Sequence, residues 1–131
     1  LIFTHRFRRR AQFLRKLHRE MFGVVWKWGG EFRLSTQETN IGVEAGKISL
    51  SLAEVCRNCE AWIKHESFGP VELAVRYHHK VVQVHPFPNG NGRFSRILAN
   101  LTMQHYRLKP LAWGGEDIGS GGPTRRATTC F

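Results

Sequence analysis

The sequence predicts a mainly α-helical domain, and three observations carry that prediction. Apolar residues recur at three- and four-residue spacing in four separate stretches. Gly and Pro gather between those stretches, where they punctuate the chain. Only residues 32 to 48 are left over for a short hairpin. With 131 residues, 41% of them hydrophobic and 23% charged, the chain is one globular domain with room for a core.

The first helix is expected over residues 1 to 22. Phe3, Phe7, Ala11, Leu14, Leu17 and Met21 form its apolar stripe. Arg6, Arg8, Arg9, Arg10, Arg15, Lys16 and Arg19 lie between them and read first as a solvated basic face, second as a nucleic-acid surface. Gly29-Gly30 then breaks helical periodicity, with Trp26 and Trp28 as packing residues. Residues 32 to 48 are read as a hairpin turning near Glu38-Thr39-Asn40. A second helix is expected over residues 51 to 65, opened by the capping-box pattern Ser51-x-x-Glu54. Leu52, Val55, Cys56, Cys59, Trp62 and Ile63 make its apolar face, which puts both thiols in the core rather than on a metal.

Gly69-Pro70 opens a third helix with Pro in the first turn. Leu73, Ala74, Tyr77, Val81 and Val84 face its core, and the helix stops at His85-Pro86. His78 and His79 are adjacent and point apart, which excludes a shared metal site. A fourth helix runs from about Arg93 to Arg107 and ends before Pro110, with Phe94, Ile97, Leu98 and Leu101 inward. Residues 1 to 115 are taken as the domain and 116 to 131 as a Gly-rich tail lacking stable structure.

Bulk properties narrow the function. A net charge of +10 favours anionic partners such as nucleotides, nucleic acid or acidic protein faces. No apolar run is long enough to span a membrane, and Leu1-Ile2-Phe3 is too short for a signal peptide's apolar core. Three cysteines, an odd number, give no disulfide framework, so a reducing, cytoplasmic setting is expected. The first residue is not Met, as expected of a piece of a longer protein.

The chemistry concentrates in residues 85 to 96: His85-Pro86-Phe87-Pro88-Asn89-Gly90-Asn91-Gly92-Arg93-Phe94-Ser95-Arg96. His85 exchanges a proton near neutral pH and stands at a helix end. Gly90 and Gly92 bracket Asn91, so the backbone bends and bares its amides as an anion nest. That nest opens a helix, whose dipole adds to the attraction for phosphate. Arg93 and Arg96, three apart, share a helix face and offer forked donors to phosphate oxygens. Pro86 and Phe87 are read as structural supports of the loop.

This string resembles the signature of the Fic family, HPFx(D/E)GNGRxxR, and departs from it at Asn89. Residues 21 to 33, Met21-Phe22-Gly23-Val24-Val25-Trp26-Lys27-Trp28-Gly29-Gly30-Glu31-Phe32-Arg33, resemble a second stretch of the same family. Asn40-Ile41-Gly42-Val43 together with residues 88 to 93 resembles the subgroup called mobile mystery protein B. The resemblance implies a Fic-type helical bundle whose flap is a short β-hairpin beside the active-site loop. It implies an enzyme that moves AMP from ATP to a Ser, Thr or Tyr hydroxyl of a target protein laid along the flap, residues 32 to 48. His85 is then the base. Gly90, Asn91 and Gly92 hold phosphate oxygens, with the Asn91 side chain adding a contact, and Arg93 and Arg96 bind the outer phosphates.

Relatives often carry Asp or Glu at the position of Asn89 as a ligand to Mg²⁺. A neutral amide oxygen is a weaker metal ligand, so activity with a raised Mg²⁺ requirement is expected. The family's inhibitory motif, (S/T)xxxE(G/N), is not matched by Ser35-Thr36-Gln37-Glu38-Thr39-Asn40. An inhibitory segment or antitoxin partner is expected outside the chain, leaving Arg96 unrestrained, and a toxin-like or signalling role is implied by resemblance alone. The alternatives left open are another transferred group, a degenerate Fic-like protein without catalysis, and a basic nucleic-acid-binding module.

Overall fold

A computed structural model describes residues 10–36 and 41–113. Four α-helices and one short 3-10 helix make up its regular structure: α1 (Ala11–Phe22), the 3-10 helix (Ala45–Lys47), α2 (Ile48–Lys64), α3 (Pro70–Val84) and α4 (Asn91–His105). The α3–α4 contact is the most extensive, α2 packs on α3, and α1 reaches both α2 and α4. Among the described residues no helix is long and apolar enough to cross a membrane. Phe3 and Phe7, the turn at Glu38-Thr39-Asn40 and the tail at 116 to 131 lie outside the described residues.

Helix α3 forms as its sequence dictates. Gly69 is the N-cap and Pro70 sits in the first turn, where its missing N–H costs nothing. Leu73, Ala74, Tyr77, Val81 and Val84 are all buried along it. Helix α2 begins at Ile48, three residues earlier than the capping box suggests, and Lys47 at its N-cap makes no side-chain cap bond. Ser51 therefore lies inside the first turn. Burial of Ile48 in the core outweighs the local capping preference. Cys56 and Cys59 lie in the core cluster, and among the described residues no group of three or more His, Cys, Asp or Glu is placed to hold a metal.

Two apolar faces are rotated from the periodic reading. In α1 the buried residues are Phe13, Leu14, His18 and Phe22, with Ala11, Leu17 and Met21 partly buried. In α4 the buried face is Asn91, Phe94, Ser95, Leu98, Ala99, Thr102 and Met103, while Ile97 is 40% exposed. Polar residues with internal partners turn these helices. Ser95 Oγ donates to the Gly92 carbonyl and Thr102 Oγ1 to the Leu98 carbonyl.

The hairpin expected over residues 32 to 48 is corrected by the structure: the described part of this segment contains no strand. Its polar backbone groups pair elsewhere. Arg33 N–H donates to the Pro86 carbonyl (2.9 Å) and Val43 N–H to the Val84 carbonyl (3.3 Å), so both arms bind the chain at the end of α3. Residues 45 to 47 then wind into the 3-10 helix and lead into α2.

Arg33 is the centre of this arrangement. It is 6% exposed. Its Nε donates to the His85 carbonyl (2.6 Å), and its Nη2 donates to the carbonyls of Val84 (3.2 Å) and Val43. A helix leaves its last carbonyls without intrahelical donors and carries negative partial charge there. A buried guanidinium meets both needs. Replacing Arg33 by Met should strand the His85 and Val43 carbonyls and cost about 3 kcal/mol in chemical denaturation. A loss under about 0.5 kcal/mol would mean that water replaces the guanidinium.

Three histidines are harder to protonate than usual. Burial lowers the pKa of His18, against a raising hydrogen bond to the Asn89 backbone. Burial lowers that of His78, helped by the charges of Arg96 and His79 and opposed by the Ser95 backbone. Burial and then the Arg33 charge lower that of His85. Below the ordinary histidine pKa of about 6.5 the unfolded chain binds protons that the folded chain refuses. Stability is therefore full above that pH and is lost as pH falls toward the folded values. The urea midpoint should drop between pH 7 and pH 5; an unchanged midpoint would contradict burial of neutral rings.

Candidate active site

The site is assembled where α3 ends and α4 begins. His85 caps α3 in the left-handed region, at φ 52° and ψ 61°, with its N–H on the Val81 carbonyl (3.1 Å). A residue with a Cβ pays about 1 kcal/mol or more to sit there, so its surroundings must impose it. Arg33 holds its carbonyl. Gly42, at φ 104°, lies against its side chain: a Cβ on Gly42 would come 2.7 Å from the His85 Cβ and 2.8 Å from Arg33 Nη2. His85 Nδ1 is buried without a hydrogen-bond partner. With its pKa lowered, the ring is neutral at pH 7 and able to accept a proton.

The next residues form a loop tied to itself. Pro86 and Phe87 are fully buried. Phe87 packs edge-on to Phe94 (5.1 Å) and tilted against Phe32 (5.9 Å). Asn91 has a different role from the phosphate contact expected of its side chain. It is 4% exposed, and its Oδ1 accepts the Phe87 N–H (2.9 Å) while its Nδ2 donates to the Phe87 carbonyl (2.7 Å). Its amide closes the loop like a base pair, and its backbone N–H lies in the first turn of α4.

Gly90 is the N-cap of α4 at φ 79°, and a Cβ there would come 2.7 Å from the Phe22 ring. No side-chain cap bond is made, so the first-turn amides of Asn91, Gly92 and Arg93 have no intrahelical acceptor. Gly92 has nothing within 4 Å of a built Cβ, so no contact inside the protein demands glycine there. The space left open lies at the helix N-terminus, where a phosphate would approach. Asn89 is exposed, and its Oδ1 accepts the Gly90 N–H (2.8 Å).

Both arginines expected to bind phosphate lie on the first turns of α4. Arg93 is exposed, with its guanidinium 5.9 Å from the Phe22 ring. Arg96 is half-buried, its guanidinium 6.0 Å from the Trp113 ring, and its Nε is buried without a partner. Trp113 is brought there by Asn100, whose Oδ1 accepts from Leu111 N–H (2.9 Å) and Trp113 Nε1 (3.4 Å). His78 lies on the same side, 4.8 Å from the Trp113 ring.

The basic face of α1 is partly structural. Arg15 Nε donates to the Gly30 carbonyl (2.9 Å), with its guanidinium 5.1 Å from the Phe32 ring, and Arg19 Nε lies 3.5 Å from the Gly29 carbonyl. Both arginines are exposed, as a solvated face would be, and each also turns its Nε to the turn after α1. Sequence reading also missed His18 and the role of Arg33. Both act on partners far away in sequence, 71 residues for His18 and 52 for the Arg33–His85 bond, so neither has a local signal beyond its place in a resembling stretch.

Comparison with known proteins identifies the family. The Fic/DOC family pattern matches residues 9–103. Over 100 residues the chain is 35% identical to "Protein adenylyltransferase Fic" of Aedes aegypti, covering 73% of this chain and 20% of that protein. It is 36% identical over 100 residues to the protein of the same name from Drosophila ananassae, again covering 73% and 20%. The chain thus spans about a fifth of the length of these curated relatives. Its fold is shared with a Fic-domain-containing signalling protein from Bacteroides thetaiotaomicron VPI-5482, at a TM-score of 0.74 and 22% identity, covering 85% of this chain and 44% of that one. A histidine at a helix end, a loop stapled by its own asparagine, a bare helix N-terminus and a pattern match across most of the described residues place this chain in the Fic/DOC family.

Proposed function

We propose that this domain transfers AMP from ATP to a Ser, Thr or Tyr hydroxyl of a target protein. The observation that supports it most is the juxtaposition, within seven residues of backbone, of a neutral histidine and a helix N-terminus with uncapped amides. The hydroxyl oxygen attacks the α-phosphorus while its proton passes to the His85 ring. The bond from that phosphorus to the bridging oxygen breaks, and pyrophosphate leaves. The first-turn amides of α4 hold phosphate oxygens, and Arg93 and Arg96 offset charge on the leaving group. The buried, unpartnered Nε of Arg96 is a donor in reserve for that role.

Mg²⁺, when bound, would neutralise phosphate charge. Asn89 offers it one neutral oxygen that now accepts the Gly90 N–H. Metal held here would rest mainly on phosphate oxygens. Arg33, Gly42 and Val43 border the His85 side of the loop, and residues 32 to 48 are the proposed path of the target segment. Leu34, Ser35, Val43 and Glu44 line a hollow there. We also place the domain in the cytoplasm, in keeping with its cysteine usage.

One observation favours a second reading, a Fic-like protein without catalysis: the Asn89 side chain already occupies the Gly90 amide. The nucleic-acid reading is weakened by the internal use of Arg15 and Arg19.

Label should pass from α-³²P-ATP to protein in a lysate with Mg²⁺ present, and His85→Ala should reduce it by about 10²- to 10⁴-fold. A folded protein giving no label would support the non-catalytic reading, and label persisting in His85→Ala would remove His85 as the base. Asn89→Asp should lower the Mg²⁺ concentration needed for half-maximal transfer; superimposable Mg²⁺ curves would show that Asn89 does not meet the metal.

A further inference from the structure

His18 is 0% exposed, and both of its ring nitrogens are engaged. The Gly30 N–H donates to Nδ1 (2.9 Å), which must therefore be unprotonated. A neutral ring then carries its proton on Nε2, which lies 2.9 Å from the Asn89 carbonyl oxygen and donates to it. The ring also stacks on Phe87, with centroids 3.8 Å apart and planes at 17°, and touches Phe22 (4.8 Å). One imidazole thus joins the turn after α1 to the loop before α4.

The Asn89 carbonyl belongs to the peptide that leads into Gly90, the N-cap of α4. Peptide planarity fixes the Gly90 N–H opposite to that carbonyl. Whatever holds the carbonyl inward turns the amide outward, where it donates to Asn89 Oδ1 (2.8 Å) and meets an anion once that exposed side chain turns away. Phe22 closes the other side of Gly90. Asn91 ties the loop to itself, whereas His18 ties it to a different part of the fold.

We propose that His18 is a positioning residue of the active-site loop: as the neutral Nε2–H tautomer it fixes the Asn89–Gly90 peptide so that the loop's amides face a nucleotide's phosphates. This rests on the AMP-transfer reading for its ligand, while the loop geometry itself is testable without one. His18 touches no reacting atom; it acts through the Asn89 carbonyl.

Two variants separate the ring's packing from its hydrogen bonds. His18→Phe keeps the stack on Phe87 and loses both polar contacts. His18→Gln keeps a donor and an acceptor. In the wild type, long-range ¹H–¹⁵N correlation should show the proton on Nε2 and none on Nδ1. In His18→Phe, amide exchange at Phe87 should accelerate, and the KM for ATP should rise about ten-fold, what one buried hydrogen bond contributes to binding. The saturated rate should change by less than about three-fold, and His18→Gln should recover part of the KM. A proton on Nδ1, or a folded His18→Phe with unchanged Phe87 exchange and unchanged KM, would overturn the proposal. If the wild type fails to bind ATP, the AMP-transfer reading falls, and the tautomer and exchange data still decide the role of His18. If His18→Phe does not fold, the wild-type tautomer and His18→Gln decide it.

Discussion

A buried guanidinium gripping three carbonyl oxygens is the contact on which the rest depends. Arg33 holds Val43, Val84 and His85 by their backbones, and among the described residues no carboxylate lies within ion-pair distance of it. A charge this deep is costly to bury unless its donors are used. Here those donors meet the Val84 and His85 carbonyls at the end of α3, the first of which also accepts the Val43 N–H, and the Val43 carbonyl opposite. The same contact sets His85 in a left-handed conformation and places a positive charge beside its ring. One side chain thus helps to set the position of the candidate base and adds to the effect of burial on its proton affinity.

From there the loop is determined in steps. Pro86 and Phe87 enter the core, Asn91 closes the turn on the Phe87 backbone, and Gly90 permits the positive φ against the Phe22 ring. His18 then joins this turn to the one after α1. Few of these groups would touch a substrate. Their effect is that α4 begins with bare amides in a fixed direction, which suits electrostatic stabilisation without reorganisation.

The loop was legible in the sequence because its chemistry is local: His85, the two glycines, Arg93 and Arg96 lie within twelve residues. The start and end of α3 were legible for the same reason, from Gly69-Pro70 and His85-Pro86. Tertiary partners hid the rest. Arg33 and Val43 give their N–H groups to residues 84 and 86, which no alternation pattern reveals, so a hairpin was expected where two arms lie against a helix end. Ile48 is drawn into the core ahead of its capping box. The resemblance gave the Asn91 side chain a phosphate contact, whereas it pairs with the Phe87 backbone across the loop. His18 interrupts an apolar stripe and shows its use only when the loop 71 residues away folds onto it.

The central claim is that His85 is held as a neutral base by burial and by Arg33. A pH titration of its ring signals by NMR, run beside Arg33→Met, tests this most directly. The midpoint should fall below about 6.5, the ordinary histidine value, and should move back toward it in the variant. A midpoint at or above 6.5 in the wild type would contradict the claim, since neither burial nor the Arg33 charge would then be lowering it.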